Sequence, residues 1–311
     1  MPRSHIITPL VASDNHLPST GSSYLESGLA SLGSLRWVAA DITLVLEEAR
    51  RRLDLSPIAA VALGRSLSAA AVIQRISLKM PARIVLEIIG DGPMGKIVAE
   101  ADSAGHLRGL VGNPQLATPD DGQMKIAPLL GSGVLRVTRE EKRSRYSSQV
   151  ELVSGELGDD VTHYLEQSEQ IRSAVLLGVL PRPIGIAAAG GLIVEALPGT
   201  EDEVIDRLEE NIRTLEGVSS CLQRGGIPAL VTAVLQGFDR EIVDRQPLEY
   251  RCRCNRQSLL SQILPLARKE PEALIGDDGF CEAVCAYCGS RYVYTATELA
   301  APVEAPPPST V

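Results

Sequence analysis

Apolar residues first fall into a regular pattern near Tyr24, after a stretch rich in Ser, Pro, His and Asn that has no period. Such a stretch has no face to bury, so residues 1–22 are expected to be a disordered extension. Residues 36–43 read as a strand and 44–53 as a helix carrying Glu47, Glu48 and three arginines. Ser56-Pro57 then offers an N-cap and a first helical position, and the Ala-rich run behind it predicts a helix to about Ile76. From Arg83 the pattern turns to β: residues 84–89, 96–101 and 107–111, separated by turns, predict an antiparallel meander. Residues 133–138 and 149–153 predict another strand pair around the charged turn 139–145, 159–173 a helix, and 184–197 a further strand that includes Gly190-Gly191. Strands and helices arriving in separate runs predict an α+β fold rather than a doubly wound βαβ repeat.

Pro198-Gly199 punctuates the chain, and the pattern beyond it changes. Residues 201–216 hold seven acidic and two basic side chains, yet Val204, Ile205, Leu208, Ile212 and Leu215 keep helical spacing. An amphipathic acidic helix between two domains is most simply a linker with a docked apolar face; its functional reading is that it can undock. The expected organisation is an N-terminal antiparallel-sheet domain with helices over 23–198, an acidic helical linker over 199–246, and a small C-terminal four-cysteine domain over 247–300. The tail 301–311, with four prolines, is expected to be disordered.

Composition narrows the class. At 311 residues the chain has material for about two domains, and 44% hydrophobic with 22% charged residues is ordinary for a globular protein. Acidic residues (39) outnumber basic ones (30), a formal charge of -9, which disfavours a phosphate backbone as partner. Apolar runs such as 58–63 and 174–180 stop quickly, so no membrane span is expected, and residues 1–14 lack the features of a secretory signal. A cytoplasmic protein is the resulting expectation.

All six cysteines lie beyond residue 220, and five fall within the 37 positions from Cys252 to Cys288. In a reducing compartment such clustering points to metal ligation or redox chemistry. Cys252-Arg253-Cys254 and Cys285-Ala286-Tyr287-Cys288, thirty residues apart, form CxC and CxxC pairs suited to one tetrahedral zinc ion. Asn255 is placed to cap a helix between them, with Leu259, Leu260, Ile263 and Leu266 on its apolar face, and Gly289 allows a bend after the last thiol. A purely structural zinc is the usual role of such a site. Two features point beyond it: a CxC disulfide would close a strained, easily reduced ring, and Arg251, Arg253 and Arg256 surround the pair with positive charge that favours reactive thiolate. Cys281 reads as a spare thiol open to disulfide exchange and Cys221 as a small buried hydrophobe. The four histidines, at 5, 16, 106 and 163, lie outside the module.

Two rival functions are weaker. Residues 90–96 match GxxxxGK, but Ile97 stands where a phosphate loop needs Ser or Thr, and Pro93 removes a backbone donor. A zinc ribbon that binds nucleic acid needs a basic surface, whereas residues 247–300 carry six basic and seven acidic side chains. Protein binding by a ribbon with structural zinc stays open as the alternative. No catalytic constellation stands out, and a non-enzyme is expected.

Tyr250-Arg-Cys-Arg-Cys254 and Val284-Cys-Ala-Tyr-Cys-Gly289, with 47–52 (EEARRR), Ser56-Pro57, 89–96 (IGDGPMGK), 188–191 (AAGG) and 208–212 (LEENI), strongly resemble the bacterial 33-kilodalton heat-shock protein family of redox-regulated holdase chaperones. The resemblance spans 23–299 and departs from the family in the extension, the tail and Cys281. It implies an ATP-independent chaperone whose Cys252, Cys254, Cys285 and Cys288 bind one zinc ion per chain in the reduced, inactive state. Oxidation would then bridge Cys252 to Cys254 and Cys285 to Cys288, release zinc, unfold the module, destabilise the linker and expose apolar surface for unfolding client proteins. The resemblance further implies a homodimer when oxidised and hand-over of clients to the seventy-kilodalton heat-shock chaperone system.

Overall fold

The Ala-rich run behind Ser56 forms the axis of the fold. A computed structural model describes residues 21–77, 82–119, 122–269, 274–276 and 278–300; the expected extension, apart from residues 21 and 22, and the expected tail beyond 300 lie outside these. The chain opens with strands β1 (Tyr24–Ala30) and β2 (Leu35–Asp41), followed by helix α1 (Thr43–Leu53) and helix α2 (Pro57–Ile76). Asp41 begins α1 by accepting hydrogen bonds from the Thr43 backbone N–H at 3.0 Å and hydroxyl at 2.7 Å. The Ser56 hydroxyl caps α2 by accepting from the Ala59 N–H, with Pro57 in the first turn as expected.

The chain continues through β3 (Arg83–Gly90), β4 (Ile97–Asp102), β5 (His106–Val111), α3 (Ala127–Leu130), β6 (Gly133–Glu140), β7 (Arg145–Glu151), α4 (Leu157–Glu169), β8 (Ser173–Pro181) and β9 (Ile186–Ala196). Next come α5 (Asp202–Arg213), α6 (Val218–Val234), β10 (Arg240–Pro247), β11 (Glu249–Tyr250), α7 (Arg256–Lys269), β12 (Phe280–Val284), β13 (Arg291–Thr295) and α8 (Ala296–Ala300). One sheet runs β10-β1-β2-β9-β8 and a second β11-β5-β4-β3-β6-β7, antiparallel throughout except that β11 lies parallel to β5. The α+β class expected from the separate runs is the class observed.

Helix α2 packs between the two sheets and touches strands of both. Seventeen of its 20 residues are buried, so its apolar positions wrap the whole circumference rather than one stripe. Small residues make this close approach possible: a Cβ on Gly64 would sit 2.5 Å from Leu46 and 2.7 Å from Val179. The buried hydroxyls of Ser66 and Ser68 donate to the carbonyls of Ala62 and Gly64, leaving no orphan donor there. By length and hydropathy alone this helix could cross a membrane, contrary to the expectation drawn from short apolar runs; 89% of its most apolar window is buried in the protein core instead.

A second apolar layer covers the opposite face of the first sheet. Trp37, Leu192 and Val194 from β2 and β9 meet Leu208 of α5 and Val218, Leu222, Ile227, Leu230 and Val234 of α6. Glycines in the sheet seat α6 closely, since a Cβ on Gly178 would fall 2.7 Å from the Ser219 nitrogen and one on Gly190 would fall 2.6 Å from Leu222. Helix α5 sits more loosely: only Leu208 is fully buried, and a cavity of about 210 Å³ remains between it and the sheet, lined by Ile171, Val194, Ile205, Leu208 and Ile212 among others. Asn211 holds α5 against the end of α6 through hydrogen bonds of 3.0 Å to the carbonyls of Val234 and Gln236.

Several elements differ from the sequence reading. The helix expected over 159–173 ends at Glu169, because Gln170 adopts a left-handed conformation, and the residues from Ser173 become β8. Strand β10 lies within the span read as helical linker and pairs with β1 from Tyr24↔Pro247 to Ala30↔Arg240. The GxxxxGK segment is the β3–β4 turn. Its backbone donors are consumed by α3 and its flanks, with Gly92 N–H on Leu130 O at 2.8 Å and Met94 N–H on Leu129 O at 2.9 Å, and Lys96 pairs with Glu87. No cradle for a phosphate remains there.

Gly190→Ala tests the close packing beneath α6. Its Cβ would fall 2.1 Å from the Ala40 carbonyl oxygen; the expected loss is about 1–3 kcal/mol of stability, seen as a lower urea midpoint by Trp37 fluorescence. An unchanged midpoint would contradict the packing described.

Candidate metal centre

Each cysteine pair is placed by the local structure that precedes it. Strand β11 adds to β5 through Glu249 N–H on Gly105 O at 3.0 Å and Arg251 N–H on Leu107 O at 2.9 Å, which fixes the approach to Cys252. After Cys254, Asn255 Oδ1 accepts from the Ser258 N–H at 2.8 Å while Ser258 Oγ accepts from the Asn255 N–H at 3.0 Å, a reciprocal cap that starts α7. The other pair occupies the tight turn between β12 and β13. Its backbone closes through Cys288 N–H and Gly289 N–H on Cys285 O at 3.2 and 2.8 Å, and Gly289 takes the left-handed φ of 70° that the bend requires.

The four sulfurs of Cys252, Cys254, Cys285 and Cys288 lie within 4.8 Å of one another. Cys252 Sγ is 3.7 Å from Cys285 Sγ, and Cys254 Sγ is 3.4 Å from Cys288 Sγ. These are too long for S–S bonds, and all four thiols are free. They are close to the separation of about 3.8 Å that two thiolates take on one tetrahedral zinc with Zn–S bonds of about 2.3 Å. Four soft donors, two of them buried and two half-buried, therefore suit a zinc ion.

The thiols are not equivalent. Burial pushes Cys285 up to about 12 and raises Cys254 as well. Burial opposes ionisation of Cys288 too, but hydrogen bonds from Ser290, together with Cys254 and Cys252, bring its thiol down to about 7. Tyr292, whose hydroxyl lies 3.4 Å from Cys254 Sγ, is pushed up to about 12, first by that contact and then by burial. The contacts thus favour the thiolate at Cys288 over that at Cys254 and Cys285.

Beneath the sulfurs the apolar core is small: Leu259, Leu264, Ala267, Cys281, Tyr294 and Leu299 are buried there beside Cys285 and Cys288. The helical face differs from expectation at one position. Residues 259, 260, 263, 264 and 267 form one stripe at helical period, so Leu264 faces inward while Leu266, one position off it, is 56% exposed. Cys281 is buried in β12 opposite Tyr294 and stands outside the four-sulfur cluster, and Cys221 is buried in α6 beneath the first sheet.

The arginines around the CxC pair do not surround the sulfurs as the sequence suggested. Arg251 lies 3.1 Å from His106 Nε2, Arg253 donates to Glu100 at 2.8 Å, and Arg256 donates to Glu298 at 2.6 Å with its guanidinium over the Tyr294 ring. His106 is held on its other side by Asp102 at 3.1 Å, a hydrogen-bonded structural role. The positive charge at the thiols comes from the core instead: Arg108 lies near Cys252 and covers the Tyr287 ring at 4.3 Å, and Arg52 lies near Cys288 and over Tyr250. Gly289 packs against the Arg52 carbonyl, where a Cβ would meet the oxygen at 2.5 Å, and Tyr250 donates to the Tyr287 carbonyl. Arg108 and Glu100 stand in no motif, and Arg52 only closes the 47–52 run; the folded core alone brings these three to the cysteines.

Comparison with known proteins agrees with this arrangement. A family model described as Hsp33 protein matches residues 23–295. A 33 kDa chaperonin of Thermus thermophilus is 43% identical over 88% of this chain and 84% of its own, and that of Bacillus subtilis strain 168 is 38% identical over 89% and 96%. The crystal structure of the 33 kDa chaperonin (heat shock protein 33 homologue) of Thermotoga maritima superposes with a TM-score of 0.81 at 34% identity, covering 89% of this chain and 96% of that one. Carrying the family's match from its first strand through its paired cysteine turns, the chain belongs to the Hsp33 family.

Proposed function

We propose that this protein is a non-enzymatic, ATP-independent holdase chaperone of the cytoplasm, held inactive by zinc at Cys252, Cys254, Cys285 and Cys288 and activated by oxidation. The observation that carries the reading is the gathering of four free thiols, within 4.8 Å, over a core of a few buried side chains. Bound zinc would hold the four thiolates together and supply folding free energy that so small a core lacks. The chain is divided functionally into a core and client-binding domain (23–198), a linker (199–246, with β10 built into the first sheet) and a redox-switch domain (247–300).

Oxidation would join Cys252 to Cys254 and Cys285 to Cys288. Each bond would form as a thiolate pair gives two electrons to a peroxide, which takes two protons from solvent and leaves as two waters, and the zinc ion would lose its ligands to solvent. A disulfide closing the three-residue CxC ring and the tetrahedral arrangement are incompatible, so the knuckle opens and its core is lost. The module meets the rest of the chain at β5, the end of α1 and the outer face of β4. Its departure would remove restraint from β11 and, through the adjoining β10, from the α5–α6 cover. That cover lies on Trp37, Leu192 and Val194, the apolar surface offered to unfolding clients. Dimerisation of the oxidised form and hand-over of clients to the seventy-kilodalton system follow from the family resemblance. Binding of nucleic acid finds less support, because Arg251, Arg253 and Arg256 are all engaged within the chain.

Three outcomes are expected. The reduced, zinc-loaded protein should leave light scattering from a heat-unfolding client unchanged, and peroxide treatment with mild heat should confer suppression that a reductant reverses. Equal suppression in both states would contradict the switch, and suppression in neither would end the chaperone reading. Trp37, the single tryptophan and 1% exposed, should shift its emission to the red on activation; constant emission alongside acquired activity would place the client surface elsewhere. Cys281→Ser should leave peptide-mapped bridges 252–254 and 285–288 and the oxidation midpoint unchanged, since Cys281 stands apart from the cluster; a shifted pattern would assign it to the switch.

A further inference from the structure

One carboxylate joins both cysteine motifs to the core. Glu100, on the outward face of β4, is only 6% exposed although it lies at a sheet surface. Within the core sheet it accepts from Arg108 Nε at 3.0 Å and Nη2 at 2.9 Å, and from Arg83 at 3.2 Å; Arg83 also pairs with Glu140. From the module it accepts from Arg253 at 2.8 Å, and the Tyr287 side chain lines the same surface pocket beside it. Arg253 is the residue between Cys252 and Cys254, and Tyr287 lies between Cys285 and Cys288. One intervening residue of each cysteine motif therefore meets the same carboxylate, with the Arg108 guanidinium stacked on Tyr287.

We propose that Glu100 is a positioning residue for the metal centre: by holding Arg253 and Tyr287 together, it keeps the CxC and CxxC pairs in register and sets how readily the module gives up its metal. This rests on the reading of the four thiols as a zinc site. The geometry supports a role beyond surface charge pairing. Removing the carboxylate would leave Arg83, Arg108 and Arg253 crowded around a neutral group, with Glu140 answering only Arg83. The positive cluster would then repel the module that now covers it. A cysteine pair whose intervening residue is anchored loses fewer conformations when it closes on a metal. Metal loss and release from the sheet become one event, because either motif moving disturbs the contacts gathered around the same carboxylate.

The test uses the reduced, zinc-loaded full chain and follows zinc transfer to a chromophoric chelator together with backbone hydrogen exchange. Glu100→Gln is expected to speed zinc loss by about tenfold, the scale of effect seen when groups supporting metal ligands are removed. Arg253→Gln should do the same, and the double variant should be little faster than either single one. Glu100→Asp should recover most of the native rate, which a merely space-filling role would not produce. Faster exchange should be confined to 251–269 and 278–300, with β4 and β5 still protected. Native release rates in both single variants, or fully additive effects in the double one, would overturn the proposal. Should Glu100→Gln fail to fold, Arg253→Gln, on a side chain 46% exposed and outside the core sheet, decides the matter alone. A wild-type chain that binds no zinc overturns both this inference and the functional reading, whereas accelerated zinc loss in a protein that never suppresses aggregation sustains the first and removes the second.

Discussion

The C-terminal module has a small apolar core, and the proposed function follows from that constraint. Leu259, Leu264, Ala267, Tyr294 and Leu299 are a handful of side chains, and two of the buried groups beside them are the thiols Cys285 and Cys288. A body of this size needs a cross-link. Sulfurs held 3.4–3.7 Å apart across the two motifs provide the place for one. The core domain has no such need: α2, buried around its full circumference between two sheets, gives it a continuous interior. Under the proposed function, the molecule combines a body that stays folded by burial with a module whose folding depends on a chemical bond.

Coupling between the two is built from polar contacts and a single short strand. Strand β11 brings two residues to β5, Gly289 rests on the end of α1, and Glu100 receives Arg253 beside the Tyr287 ring. Polar contacts of this kind fix orientation more than they add stability, and water replaces them at small cost when the geometry fails. The apolar surface is kept elsewhere, under α5 and α6. There α5 covers a cavity of about 210 Å³ and buries one leucine fully, which makes it the weaker half of the cover. Firm core, conditional module and loosely seated cover form a graded series of local stabilities.

Much of this was legible in the sequence wherever the signal was local. Ser56-Pro57 with an Ala-rich run gave α2, alternation gave the β3–β4–β5 meander, and the spacing of the cysteines gave the four-thiol cluster. What escaped is held by distant partners. Strand β1 carries Gly28 and a buried Glu26, which is tolerable only because Arg245 of β10 reaches it at 2.8 Å; β10 itself is rich in exposed charge and is a strand because β1 pairs with it. Gly225, Gly226 and Pro228 disguise α6, which breaks at the two glycines and resumes. The arginines beside the cysteines suggested an electropositive thiol environment, but they serve His106, Glu100 and Glu298, and Arg108 and Arg52 take that place from far away in the chain. Identity of a charged residue is written in the chain; its partner is decided by the fold.

Transmission of the loss of the module's cross-link to the α5–α6 cover, with the core persisting, can be followed by hydrogen exchange with mass spectrometry on the reduced, zinc-loaded and peroxide-oxidised protein. Oxidation should remove protection from residues 251–269 and 278–300, and with them from 202–234, while α2 over 57–76 stays protected. Full protection of 202–234 in an oxidised protein whose module has unfolded would contradict it.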